Sequence, residues 1–373
     1  RRQRQMCIRD RYCPYMQEMT AEALRIFEKA SLNMAWYNRL VENREVIAEQ
    51  LDAMAYIMED CAKKQKNITE ECRSNLQDIA YRARERGIKV IDEQLWEKEN
   101  GRWQLVMKVM VKDGCVTTRE LTKAVAGALN RRMIPEKDTK TLIGKGVNLY
   151  TYEEEPRFQA IYGVARMVKD GAAVSGDNFS FLEPESGKMV MCLSDGMGSG
   201  SLACKESEMV IELVEKFLEA GFDVETAARM MNSAMVMKGQ EDLFSTVDIS
   251  ELDLYDGTCR FYKIGAAATF IRRNGIVECL ISTSLPVGVS YKLDMEKSEK
   301  DLYNGDFLVM VSDGVLEYLH VPNPEETMQE IIESIETNNA TILAKRILER
   351  VLLFTGGKAA DDMTVLATAI WEK

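Results

Sequence analysis

The chain has 373 residues, of which 46% are hydrophobic and 29% are charged, and its formal net charge is −12. This length favours two domains, and the composition is typical of a globular protein with a buried core. The negative charge argues against nucleic-acid binding, because phosphate backbones are bound by clustered Lys and Arg.

The N-terminal region predicts a long helix over about residues 16–61. Apolar residues recur there at spacings of three and four, which is the pattern of a coiled coil or of a helix that packs on another domain. A coiled coil would allow a homodimer to form through this helix. No apolar stretch follows the arginines at the start of the chain, so we do not expect a signal peptide.

A small α+β regulatory module is predicted over about residues 87–152. A helix from Thr69, its N-cap, to Arg86, with Gly87 as its C-cap, precedes it. The alternating stretches Ile88–Trp96 and Trp103–Val111 predict a hairpin, followed by a helix from about residue 117 and a strand over residues 147–152. We place the end of this regulatory region at residue 157, after an acidic loop with a proline.

The remainder, residues 158–373, predicts antiparallel sheets covered by helices. Nine extended stretches alternate with short turns, and such closely spaced strands pair in antiparallel fashion. The predicted helices are Ser201–Ala220, Val224–Met237, Pro324–Glu336 and Ala340–Leu353.

Cysteine and histidine usage restricts the possible chemistry. Nine cysteines occur without a Cys-x-x-Cys pair, so neither a disulfide framework nor a thiolate zinc site is expected. The only histidine is His320, which we assign to a polar surface loop. Catalysis through Ser-His-Asp or Cys-His would depend on that one residue.

Four acidic motifs stand at the ends of predicted strands. A single Asp-Gly or Asp-Asp pair is most often part of a turn, but ionised carboxylates that meet in a buried place need cations. Oxygen ligands without a His or Cys cluster favour Mg²⁺ or Mn²⁺. The motifs are Gly176-Asp177-Asn178, Ser194-Asp195-Gly196-Met197-Gly198, Ser312-Asp313-Gly314 and Asp361-Asp362-Met363-Thr364.

This ordered set resembles the metal motifs of the metal-dependent protein phosphatases (type 2C, PPM), in a bacterial branch that acts in sporulation. Leu285-Pro286-Val287-Gly288 and Phe244-Ser245-Thr246 are also similar to that branch. The resemblance covers residues 158–373 and implies an α-β-β-α sandwich within the α+β class. It also implies two Mn²⁺ or Mg²⁺ ions in a cleft at one edge of the sandwich.

The resemblance implies a role for each acidic residue. Asp195 would bridge both ions, the carbonyl group of Gly196 would bind one of them, and Asp313 and Asp361 would hold the other.

Two acidic residues keep alternative roles. Asp177 would either bind an ion or order metal-bound water, and together with Asp195 it is a predicted catalytic residue. Asp362 stands where many relatives have Asn, so we rank it below Asp361 as a ligand.

The implied activity is that of a protein serine phosphatase which hydrolyses its substrate with water activated by two metal ions. The implied substrate is a phosphorylated anti-anti-sigma factor, whose dephosphorylation activates a sporulation sigma factor. The alternatives are a stress-response phosphatase of the same family, a metal-dependent phosphoesterase for small molecules, and a scaffold or oligomerisation module with a silent site. We expect these residues to be cytoplasmic, with membrane attachment only through a region absent from this chain.

Overall fold

The computed structural model describes residues 65–98, 101–136, 139–184, 187–198, 200–237, 244–290, 292–354 and 356–373. The chain divides into two compact units, Arg1–Ala55 and Tyr56–Lys373, and every described residue belongs to the second unit. The helix predicted over residues 16–61, and dimer formation through it, therefore lie outside the described residues.

An antiparallel five-stranded sheet forms the first part of the described chain, with the strand order β1-β2-β3-β7-β5. Two helices contribute apolar side chains to the same buried cluster as this sheet. The elements are β1 (Gln65–Asn67), α1 (Arg73–Glu85), β2 (Ile88–Lys98), β3 (Trp103–Val111), β4 (Val116–Thr117), α2 (Thr118–Leu129), β5 (Met133–Pro135), β6 (Leu142–Ile143) and β7 (Asn148–Glu154). Strands β4 and β6 pair separately as a two-stranded ladder.

The first helix begins three residues later than predicted, with Cys72 rather than Thr69 as its N-cap. Thr69 does not cap it, because the Thr69 hydroxyl accepts a hydrogen bond from the Leu95 amide at 3.0 Å and so joins β2. The Thr69 amide in turn donates to Asn67 Oδ1 at 3.0 Å. Gly87 has the left-handed backbone conformation (φ +78°) that its predicted position after the helix requires.

Two further five-stranded sheets follow, with the orders β15-β12-β11-β10-β9 and β14-β13-β16-β17-β8. Every strand pair in them is antiparallel. The strands are β8 (Phe158–Met167), β9 (Asp177–Leu182), β10 (Lys188–Gly196), β11 (Ser245–Asp253), β12 (Thr258–Ile264), β13 (Thr269–Arg273), β14 (Ile276–Leu280), β15 (Glu296–Asp301), β16 (Phe307–Val311) and β17 (Met363–Glu372).

Among the residues that the structure describes, five helices accompany these sheets, and the four predicted from sequence are present. They are α3 (Ser201–Glu219), α4 (Val224–Met237), α5 (Asp313–Glu317), α6 (Pro324–Glu333) and α7 (Ala340–Phe354). The sequence did not predict α5 or β15. Strand β15 has the sequence EKSEKD and lies at a sheet edge, so it shows no apolar alternation.

Three buried clusters separate four layers. One lies between α3, α4 and the first of these two sheets, and another lies between the second sheet and α5–α7. The third lies between the two sheets. The predicted α-β-β-α sandwich is therefore confirmed.

Residue alternation decides which side chains reach the layer between the sheets. In β10, Met189, Met191 and Leu193 belong to the inter-sheet cluster, while Val190 and Cys192 pack toward the helices. Because strand side chains alternate with period two, Asp195 continues the inter-sheet face.

Side-chain contacts join the small sheet to the sandwich within the second unit. Arg102 donates two hydrogen bonds to the Asp253 carboxylate, at 2.9 and 3.1 Å, and its guanidinium lies 3.6 Å from the centre of the Tyr255 ring. The Tyr255 hydroxyl donates to the carbonyl oxygen of Glu154 at 3.0 Å. The domain boundary at residue 157 stays a prediction. Among the described residues, no helix has the length and apolar character needed to cross a membrane.

Candidate metal centre

The acidic motifs meet at one end of the two central sheets. Asp195 of β10 is directly paired with Asp177 of β9 on one side and with Thr246 of β11 on the other. In the second sheet, the Ser312 amide donates to the Thr364 carbonyl at 3.0 Å, at the same end. The start of α5, which carries Asp313, and the turn that carries Asp361 therefore lie at the edge where β9, β10 and β11 place their polar residues.

Backbone and hydroxyl contacts hold Asp195 in place. The Ser245 hydroxyl donates to the Asp195 carbonyl oxygen at 2.6 Å, and the Asp195 amide donates to Thr246 Oγ1 at 3.3 Å. Burial raises the pKa of the Asp195 carboxyl to about 11, and the neighbouring carboxyls of Asp313 and Asp177 add to this increase. A charged Asp195 therefore requires compensating positive charge.

Asp177 is fully buried, yet neither of its carboxylate oxygens has a hydrogen-bond partner among the described residues. Burial raises its pKa, and the charge of Asp313 acts in the same direction. The Thr364 and Ser312 hydroxyls are close enough to oppose this increase, although neither forms a well-aligned hydrogen bond with Asp177. An unpaired buried carboxylate is costly unless a cation satisfies it.

Two glycines allow the acidic turns to approach their neighbours. A Cβ atom on Gly196 would lie 2.1 Å from the carbonyl oxygen of Ala203 in α3. A Cβ atom on Gly314 would lie 2.2 Å from the carbonyl oxygen of Asp362 and 3.3 Å from Asp361 Cβ. Only glycine fits at these positions, so the Asp-Gly pairs are more than turns.

The adjacent residues Asp361 and Asp362 have different environments. Asp362 is buried, and its two carboxylate oxygens accept hydrogen bonds from the amides of Lys169 (2.9 Å) and Gly176 (2.8 Å). Asp361 is partly exposed, and its Oδ1 lies 3.5 Å from Lys169 Nζ. Asp362 thus anchors the loop between β8 and β9, whereas Asp361 is freer to act as a ligand.

A hydrogen-bond network that sequence reasoning missed connects the start of β9 to α3. Asn178 Nδ2 donates to Ser207 Oγ at 2.8 Å and to the Cys204 carbonyl oxygen at 3.0 Å. The buried Ser207 hydroxyl also bonds to the carbonyl oxygen of Gly176. These contacts fix α3 beside Asp177, and an isolated Ser within a helical stretch gives no signal of such a role.

Sequence reasoning also missed an arginine beside the acidic cluster. Arg166, near the end of β8, is exposed, and its guanidinium donates a hydrogen bond to the Asp177 carbonyl oxygen. A basic residue late in an otherwise apolar strand was the available signal. His320 is exposed, as predicted, and its ring packs against Tyr318 at 5.5 Å between centroids.

The oxygen ligands at this site suit hard divalent cations. Mg²⁺ or Mn²⁺ would satisfy the buried Asp177 carboxylate, which has no hydrogen-bond partner among the described residues, and would relieve the crowding of carboxyls that raises the pKa of Asp195. Among the described residues, no three His, Cys, Asp or Glu side chains already form a metal-binding cage. Such ions retain water ligands and accept backbone carbonyl oxygens, so a complete side-chain cage is not required.

Comparison with known proteins agrees with this geometry. The sequence profile described as Stage II sporulation protein E (SpoIIE) matches residues 185–370. The crystal structure of the PP2C phosphatase domain and a fragment of the regulatory domain of SpoIIE from Bacillus subtilis superposes with a TM-score of 0.64 and 27% identity. That match covers 90% of this chain and 98% of the other. The chain belongs to the stage II sporulation protein E family.

Two curated stage II sporulation protein E sequences, from Bacillus subtilis and Priestia megaterium, are each 28% identical to 89% of this chain. The chain spans 40% and 57% of their respective lengths. A shorter match, 35% identical over 86 residues, is to the phosphoserine phosphatase RsbX of Bacillus subtilis and covers 23% of this chain and 41% of RsbX. The PP2C phosphatase fold of this family is thus present here, together with part of the region that precedes it.

Proposed function

We propose that this chain is a metal-dependent protein serine phosphatase. The observation that carries the proposal is the buried Asp177 carboxylate, which has no hydrogen-bond partner in the described part of the chain and faces Asp195 across the β9–β10 pair. A binding module with a silent site gains nothing from this costly arrangement. Membership in the stage II sporulation protein E family supports the same conclusion.

The proposed ligands are Asp195, the Gly196 carbonyl group, Asp313 and Asp361, with Asp177 as a further ligand or as a residue that orders water. Two Mn²⁺ or Mg²⁺ ions bound here would supply an activated water and neutralise the phosphoryl oxygens. Asp362 contributes by holding the loop between β8 and β9 through its two backbone hydrogen bonds.

Several residues around the site hold its backbone in place, and one is positioned to bind the substrate. Ser245 and Thr246 fix the backbone of Asp195, and the Asn178–Ser207 contact fixes the start of β9. The Arg166 guanidinium, exposed beside Asp177, is placed to bind the substrate phosphate as it enters.

The proposed substrate is a phosphoserine in a regulatory protein, specifically an anti-anti-sigma factor of sporulation. The relationship to stage II sporulation protein E and to proteins named as phosphoserine phosphatases supports this choice. A stress-response substrate is the alternative within the same class. A cytoplasmic location for these residues follows from such a substrate and belongs to the proposal.

The test is Mn²⁺-dependent phosphate release from a phosphoserine protein, comparing the wild-type chain with Asp195→Asn. Release that requires Mn²⁺ and falls by about two orders of magnitude or more in the variant is expected. Asp92→Asn is the matched control, because Asp92 pairs with Lys108 in the small sheet, away from the acidic motifs, and its side chain is half-exposed. A wild-type chain without activity in Mn²⁺ or Mg²⁺ would favour the oligomerising scaffold instead.

A further inference from the structure

A cavity of about 830 Å³ lies in the small five-stranded part of the molecule. It is formed where the C-terminal end of α1 meets the start of β2 and the end of β3. The acidic motifs contribute no residue to its lining, so it is separate from the candidate metal centre. Its volume is in the range of small-molecule sites, roughly 300–1,000 Å³.

Three cationic side chains line this cavity: Arg84, Lys89 and Lys112. Each is exposed, and none forms an ion pair with another described residue. The one acidic lining residue, Asp113, has Lys145 as a neighbour at 3.5 Å. The lining therefore carries a net charge of about two positive units, in a chain whose net charge is −12.

Other cations without an ion pair to a described residue occur around the small sheet, at Arg119, Arg132 and Lys140, but none of these three lines the cavity. Most basic residues around the small sheet have acidic partners, as in the pairs Arg82–Asp78, Arg86–Glu120, Lys98–Glu153, Lys108–Asp92, Lys123–Glu120 and Arg131–Glu154. Arg84 can be explained as a cation near the negative C-terminal end of α1. That explanation does not extend to Lys89 and Lys112, which lie on strand β2 and just after β3.

The cavity also has apolar walls. Val90, Val111 and Val116 line it, and the ring of Tyr81 is largely exposed at the same site. Cations beside apolar and aromatic surface suit a ligand that combines an anionic group with a flat or apolar body. Inorganic phosphate would fill only a small part of the volume, and a protein surface would normally bind over a flatter and larger area.

We propose that this cavity binds a small organic anion with the size and charge of a nucleoside phosphate. Lys89 and Lys112 bind its anionic group, and the valine and Tyr81 surfaces contact its body. The site would let the small sheet sense a small molecule independently of the candidate metal centre.

Calorimetric titration of the whole chain with ATP, pyrophosphate and citrate, in EDTA, tests this proposal. Chelation prevents phosphate groups from binding through metal ions at the acidic motifs, so failure of the phosphatase proposal would not affect this result. Saturable binding of at least one organic anion, and stronger binding of ATP than of uncharged adenosine, is expected.

Variants locate the binding site. Lys89→Gln and Lys112→Gln are each expected to weaken binding about tenfold, since each removes one charge-assisted contact. Arg119→Gln is the matched control, because Arg119 is exposed on α2, does not line the cavity, and should leave binding within twofold.

Three results would overturn the proposal. They are absence of saturable binding of all three anions below about 1 mM, equal affinity for ATP and adenosine, and equal weakening by Arg119→Gln. An Asp/Glu-rich peptide that binds in a Lys89- and Lys112-dependent way while all three anions fail would assign the surface to an acidic protein segment instead.

Discussion

Asp177 and Asp195 occupy directly paired positions on neighbouring antiparallel strands, and both side chains enter the layer between the two central sheets. Two carboxyl groups held this way cannot both ionise without a compensating charge. The pKa of each is raised, and that of Asp195 reaches about 11. The protein therefore keeps an electrostatically unfavourable pair at one edge, which a divalent cation would relieve.

We predict that the metal-free protein loses stability as pH rises. The folded pKa of Asp195, about 11, lies above the ordinary unfolded value of about 3.9. Between these values the folded state holds a proton that the unfolded chain has released, so the free energy of unfolding falls with increasing pH. The urea concentration at the midpoint of unfolding, measured in EDTA at several pH values, should show this decline. The midpoint should change less with pH in Asp195→Asn than in the wild type, and an equal change in both proteins would contradict the prediction.

Substitutions at Asp361 and Asp362 should separate metal binding from folding. Asp362→Asn cannot accept both backbone hydrogen bonds as a carboxylate does, and it should lower the free energy of unfolding by about 1–3 kcal/mol with or without metal. Asp361→Asn should leave metal-free stability nearly unchanged and raise the Mn²⁺ concentration needed for activity. Chemical denaturation in EDTA and metal titration of activity measure the two effects. The reverse pattern would make Asp362 the main ligand.

Gly314 should not tolerate a side chain. A Cβ atom there would lie 2.2 Å from the carbonyl oxygen of Asp362, so Gly314→Ala must move the turn that carries Asp361. We expect a loss of about 1–3 kcal/mol in the free energy of unfolding, together with reduced activity. Gly146→Ala is the control, because nothing lies within 4 Å of its Cβ position and its φ is not positive. Thermal unfolding of both variants decides the question, and similar melting temperatures would argue against the close approach.

Much of the sandwich follows from local sequence patterns. The continuous apolar runs of β10 and β16 are followed by Ser194-Asp195 and by Ser312-Asp313, so strand ends and acidic motifs coincide in the sequence. Contacts between residues that are distant in the chain have no such pattern in the sequence. The Asn178–Ser207 bond, the double anchoring of Asp362 and the position of Arg166 depend on how strands pair and pack.

The start of α1, which the sequence misplaced, and strand β15, which it missed, have similar causes. Thr69 has the residue type of an N-cap, but its hydroxyl bonds to the Leu95 amide of β2, because pairing of β1 with β2 brings the two segments together. Strand β15 is charged on both faces and is fixed by its pairing with β12 rather than by its own composition. Tertiary hydrogen bonding overrode or replaced the local signal in both places.

Arg166 should contribute to substrate binding rather than to the stability of the fold. Its guanidinium is exposed and donates to the Asp177 carbonyl oxygen, so it lies beside the acidic cluster and remains open to a phosphate. Arg166→Gln should raise KM for a phosphoserine substrate about tenfold, because it removes one charge-assisted contact. The Mn²⁺ concentration needed for activity should change little. Arg157→Gln, which removes an exposed pair with Glu372 at the other end of β8, should leave KM unchanged. If Arg166→Gln instead changed the Mn²⁺ requirement at constant KM, Arg166 would act by positioning Asp177.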